Sequence, residues 1–162
     1  MGENQRAMIM MTHEEIGDFV LHQRIANLAT IGPSGQPHLV AMWYAVIDGE
    51  VWIETKRKSQ KVVNLRRDSR VSVLIEAGST YDELRGVSFE GRGDISDDPD
   101  DIWRVGVNMF ERYIGPYDES VKAQVEAMIN NRVVVHFVFD RVRSWDHRKL
   151  GMASTPVSGS TA

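Results

Sequence analysis

The pair Asp48-Gly49, set between two apolar or alternating runs, constrains this chain more than any other feature. Such a pair readily takes the two positive-φ positions of a type I′ turn, whose twist matches that of two antiparallel strands. Beyond it, Val51, Ile53 and Thr55 alternate with Glu50, Trp52 and Glu54, and a run from His38 to Ile47 precedes it. A further run, Ile25 to Ile31, is separated from His38 by Gly32-Pro33-Ser34-Gly35-Gln36-Pro37, a turn by composition. The spacing predicts a three-stranded meander.

Helical signals surround these strands. Thr12 followed by Glu15 has the form of a capping box, and Ile16, Phe19 and Val20 continue at helical spacing. Val62, Val63 and Leu65 suit a short helix from Ser59 to Asp68, and Arg70 to Ala77 returns to strand alternation. Gly78 to Arg85 reads as a polar loop and Gly86 to Ser96 as a strand, with Gly91 and Gly93 marking a bulge or close approach. Asp97-Asp98-Pro99-Asp100-Asp101 opens a helix running towards Arg112. A helix from Asp118 to Asn130 and a strand from Arg132 to Val142 complete the pattern. Short antiparallel strands joined by tight turns imply a mainly β, α+β fold, a small barrel of about six antiparallel strands with flanking helices. We expect residues 11–152 to form this one domain, between disordered tails at 1–10 and 153–162.

Composition removes several functions. A net charge of −4 supplies no broad basic field, so nucleic acid is not an expected partner. The chain has no cysteine, which excludes disulfides, thiolate metal sites and dithiol redox chemistry; any electron or hydride chemistry must use a bound cofactor. No stretch reaches the roughly 20 apolar residues of a spanning helix, and Met8-Ile9-Met10-Met11 is too short for a signal-peptide core. We therefore expect a cytoplasmic protein without a membrane partner. No pair of histidines has the spacing of a helical zinc site, and no Gly-x-Ser-x-Gly elbow occurs, so neither a metal nor hydrolase chemistry is assigned.

The segment from Glu54 to Leu65 carries the most chemistry. A strand there delivers Thr55, Lys56, Arg57, Lys58, Ser59, Gln60 and Lys61 to the start of a helix, with Asn64 one turn on. Free backbone N–H groups at a helix N-terminus attract phosphate, and hydroxyls and cations beside them add donors. The same residues also read as a solvated cationic turn.

The order strand, Thr, basic turn, Ser-x-Lys, helix resembles the phosphate-binding segment of the pyridoxamine 5′-phosphate oxidase-like flavin split-barrel superfamily. The closing Phe139-x-Arg141-x3-Trp145-x3-Lys149-Leu150 is similar to that family's C-terminal pattern, and the resemblance runs from Glu14 to Leu150. It implies a split β-barrel, a homodimer and cofactor sites at the subunit interface. True pyridoxamine phosphate oxidases carry an arginine and a lysine on the strand before the hairpin, where this chain has His38 to Tyr44 with neither. Thr55 to Asp68 and Ser144 to Leu150 look instead like the B-type F420-dependent oxidoreductase branch. The resemblance thus implies coenzyme F420 as cofactor, with FMN as the alternative, and hydride transfer to a small unsaturated or electron-poor substrate. The acidic tail of F420 suits a groove lined by Lys56, Arg57 and Lys58. By the same resemblance Tyr81 and Leu84 cover the ring from the partner subunit, and Trp145, Arg148 and Lys149 complete the site. The loop Tyr81 to Val87 also reads as a plain surface connection. No proton donor is assigned. A cofactor carrier without turnover is the alternative of another class.

Overall fold

The computed structural model describes residues 5–154. One helical turn, α1 (Gln5–Met8), precedes α2 (His13–His22), β1 (Ala26–Ile31), β2 (Pro37–Met42), β3 (Ala45–Ile47) and β4 (Glu50–Lys56). There follow α3 (Gln60–Arg67), β5 (Arg70–Ala77), β6 (Arg85–Ser96), α4 (Pro99–Tyr113), α5 (Lys122–Ile129) and β7 (Arg132–Asp146). Asp48 and Gly49 take φ of 54° and 81° and close the β3–β4 hairpin, as the dipeptide requires. Thr12 caps α2, with both bonds of the capping box formed.

The seven strands form one antiparallel sheet in the order β2-β1-β5-β6-β7-β4-β3. Its outer strands, β2 and β3, are joined by only Trp43 and Tyr44. That link reaches about 11 Å, whereas opposite edges of a flat seven-stranded sheet lie about 29 Å apart. The sheet therefore has to curl into a half-barrel, the split-barrel form expected from sequence. Its interior is apolar, with Leu28, Ile53, Val73, Ile75, Val87 and Val135 almost fully buried. A smaller core, with Trp52, Val105, Met109 and Val134, lies under α4.

The continuous run from His38 to Ile47 is two strands, one source of the extra strand. Tyr44 interrupts it because its ring is wholly buried and its hydroxyl donates to the carbonyls of Val20 and Gln23. Its N–H donates to the Tyr113 hydroxyl, so it cannot continue the ladder of β2. The last strand runs on to Asp146, beyond the expected Val142, because β6 pairs with it over that whole length. A register shift between Glu90 and Gly91 bulges this pairing; a Cβ at Gly91 would collide with the carbonyl oxygen of Val138. The expected helix from Asp118 opens as one 3-10 turn, Glu119–Val121, before α5. The chain engages the body before Met11: the Asp146 N–H donates to the Ile9 carbonyl at 2.7 Å. Of the tails assigned at 1–10 and 153–162, residues 1–4 and 155–162 lie outside the described residues. Among the described residues, no helix is long and apolar enough to cross a membrane.

Candidate functional site

β4 ends where α3 begins, and the turn between them gathers three of the expected phosphate ligands. The Lys61 ammonium donates to Thr55 Oγ1 at 3.1 Å, and Thr55 Oγ1 lies 3.2 Å from Ser59 Oγ. Ser59 occupies the N-cap of α3, yet its side chain makes no capping bond. The first-turn N–H groups therefore keep their donor capacity towards an incoming anion. Burial pushes the Lys61 amine below its ordinary range, with the nearby Arg132 guanidinium acting in the same direction. An anion placed there would offset both effects.

Asn64 is fully buried one turn further on. It donates to Thr30 Oγ1 at 3.0 Å and accepts from Gln60 Nε2 at 2.8 Å. This chain of amides and a hydroxyl fixes α3 against β1, and with it the position of Lys61. The rest of the basic turn behaves differently. Lys56 and Lys58 are exposed, and Arg57 is paired with Asp97 at 3.2 Å. Lys56, Arg57 and Lys58 line a cavity of about 310 Å³ together with Asn130, Asn131 and Arg132.

Sequence reasoning missed two residues here. Glu54 is buried beside this turn, with Oε1 3.5 Å from Arg132 Nε and Oε2 without a hydrogen-bond partner. Burial raises its carboxyl to about 7 against the opposing pull of Arg132. An acid closing the apolar run Val51-Trp52-Ile53 was the available signal for Glu54. Arg132 carried none, because it reaches the turn only through the pairing of β4 with β7.

The remaining expected residues form a second group. Gly86 faces Trp145 across the β6–β7 ladder, and a Cβ on Gly86 would come within 2.5 Å of the indole. The loop before β6 is tied to the chain after β7: the His147 N–H donates to the Leu84 carbonyl, and the Tyr81 ring tilts against His147 with centroids 4.5 Å apart. Arg148 grips Asp146 through Nε and Nη2 at 2.8 and 2.5 Å, holding that carboxyl below its usual range. Lys149 donates to the Met10 carbonyl at 2.8 Å and to Glu15 at 2.6 Å. Both cations thus have partners within the chain, and a ligand would have to compete for them.

The two groups stand at opposite ends of β7. Thr55 pairs with Val133, and Gly86 with Trp145. At ~3.3 Å per residue, that separation is about 40 Å of strand path. Along one chain the length of β7 separates them.

A family model described as pyridoxamine 5′-phosphate oxidase matches residues 12–146. The chain belongs to this family. Among solved structures of similar shape, the conserved hypothetical protein Rv2991 from Mycobacterium tuberculosis is 62% identical over 97% of this chain and 98% of its own, with a TM-score of 0.93. A protein described as an F420 reductase is 23% identical over 81% of this chain and 98% of its own, TM-score 0.63. HutZ, a haem storage protein from Vibrio cholerae, is 13% identical over 85% and 98%, TM-score 0.65. The last two likenesses show the fold alone. No curated protein matches the sequence significantly. Pyridoxamine 5′-phosphate oxidase membership agrees with the resemblance carried by Thr55 to Lys61 and Phe139 to Leu150.

Proposed function

We propose that this pyridoxamine 5′-phosphate oxidase family member is an F420-dependent reductase acting as a homodimer, with a cofactor site at each side of the subunit interface. The observation that carries the reading is the convergence of Lys61, Thr55 and Ser59 at an α3 N-terminus whose capping hydroxyl makes no cap bond. That donor set fits a phosphate group. When bound, reduced F420 supplies a hydride to an electron-poor ring or alkene. The chain's own residues bind and orient: Lys61 and the helix N–H groups hold the phosphate, and Gln60 and Asn64 fix the helix that presents them. The cavity beside Lys56, Arg57 and Lys58 would receive the acidic tail.

Dimerisation is favoured by two observations. About 40 Å of strand path separates the Trp145 group from Lys61 along one chain, which favours a second copy as its source. The outward faces of β1 and β2 also carry apolar residues facing solvent, among them Leu39 at 67% exposure and Ala41.

β2 carries no arginine or lysine, which favours F420 over FMN, the alternative cofactor. Titration of the chain with F420, FMN and FAD side by side tests this ranking. We expect F420 to bind most tightly, and Lys61→Ala to weaken it by roughly 1.5 to 3 kcal/mol while Lys58→Ala matters less. Micromolar FMN affinity without measurable F420 binding would reverse the ranking. Equal losses in the two variants would move the phosphate site away from α3. Turnover with a panel of electron-poor acceptors separates an enzyme from a carrier.

A further inference from the structure

The ladder between β4 and β7 stops at Trp52 and His136, although β4 begins at Glu50 and β7 continues to Asp146. Continued register would set Glu50 opposite Val138. The strands part instead, and a cavity of about 380 Å³ opens in the split, with α2 as its other wall. That volume lies within the ~300–1,000 Å³ range of small-molecule sites.

One wall holds three nearly parallel phenylalanine rings, of which Phe89 and Phe137 are almost wholly buried and Phe139 is half-buried. Phe89 and Phe139 stack with centroids 4.3 Å apart and planes at 20°, and Phe137 lies 5.9 Å from Phe139 with planes at 14°. Flat rings of this kind favour a flat occupant. The polar rim is one-sided. Glu50 presents a carboxylate, 56% exposed, whose Oε2 lies 2.9 Å from His136 Nε2. Among the described residues no lysine or arginine lines the cavity, and the one basic side chain in its wall, His136, is turned towards Glu50.

Gly17 supplies the second, independent observation. It lies inside α2 and lines the cavity. Glycine in a helix interior costs about 1 kcal/mol relative to alanine. Among the described residues no neighbour demands it: a Cβ there would meet no atom within 4 Å. A helix-weakening residue at the wall keeps that space open.

We propose that the split between β4 and β7 binds a small planar aromatic molecule carrying a protonated or N–H-donating nitrogen, its ring against the wall that Phe139 presents and its nitrogen against Glu50. The site stands apart from the α3 phosphate site: Glu50 and Thr55 lie towards opposite ends of β4, about 17 Å apart along the strand, and no lysine or arginine among the described residues lines the cavity. The proposal therefore does not depend on the redox reading.

The test is a fluorescence titration of the intact chain with 9-aminoacridine, a planar tricyclic cation, beside the anionic 1-anilinonaphthalene-8-sulfonate. We expect saturable binding of 9-aminoacridine and preference over the anion. Glu50→Gln should weaken it about tenfold, equivalent to about 1.4 kcal/mol. Gly17→Leu should abolish it by filling the cavity, and leucine's better helix propensity should keep the melting temperature at or above that of the parent chain. Unchanged affinity in either variant, or equal binding of the anion, would overturn the proposal. Should Gly17→Leu melt lower, Glu50→Gln alone decides, since it leaves α2 untouched.

Discussion

Glu54→Gln probes the energetic cost of the acid buried beside the basic turn. The residue is 6% exposed, and its Oε2 has no partner. Burial lifts its carboxyl from 4.5 to about 7 despite Arg132. An unfolded chain ionises this group near 4.5, whereas the folded chain holds the proton until about 7. The folded state therefore binds the extra proton, and its stability contribution is complete below 4.5 and lost as pH rises through about 7. At 1.36 kcal/mol per pH unit, the loss is about 3 kcal/mol once the folded group is ionised. Glutamine keeps the shape and carries no charge. Urea unfolding of both chains from pH 4 to pH 9 should show little difference at pH 4. Above pH 8, Glu54→Gln should be more stable by about 3 kcal/mol, or roughly 6–12 °C in Tm for a chain of this size. A difference that does not change with pH, or a variant less stable than the parent at pH 8, would refute the reasoning. Either result would mean that the attraction of Arg132 outweighs the burial of the acid.

Arg112 donates to the carbonyls of Tyr44, Leu21 and Gln23 and so ties α4 to the break between β2 and β3. Arg112→Met should lower stability by roughly 2–4 kcal/mol in urea unfolding, since three charge-assisted bonds to carbonyls are lost together. Gly86→Ala should tilt the Trp145 indole, with a shift in tryptophan emission and a loss of roughly 1–3 kcal/mol from overpacking. Light scattering at micromolar concentration should report twice the chain mass of 18.4 kDa; a stable monomer would remove the composite site.

Local chemistry made much of the fold legible. Asp48-Gly49, the Thr12–Glu15 box, and Asp98 with Pro99 at the start of α4 each act within a few residues, and each forms as its side chains dictate. The break at Trp43-Tyr44 was not legible, because its cause is distant in sequence: hydrogen bonds of Tyr44 with Val20, Gln23 and Tyr113. The same holds for the site. Thr55, Ser59 and Lys61 meet across one turn, so their spacing announced them. Arg132 and Thr30 join them only through pairing of β4 with β7 and packing of α3 on β1.

The two ends of β7 also differ in how free their cations are, and this bears on how a ligand would divide its affinity. Arg148 and Lys149 already spend their donors on Asp146, Glu15 and the Met10 carbonyl. A ligand reaching them must replace bonds that exist, so the net gain there is small. Among the described residues Lys61 donates to a neutral hydroxyl, and burial, with Arg132 nearby, disfavours its charge. An anion beside it supplies the missing countercharge, so the gain is larger. The α3 end should therefore carry most of the affinity in the proposed site. The Trp145 end offers an aromatic face held by Gly86, better suited to orienting a ring than to anchoring it. In a composite site built from two copies, binding strength would come from one subunit and ring placement from the other.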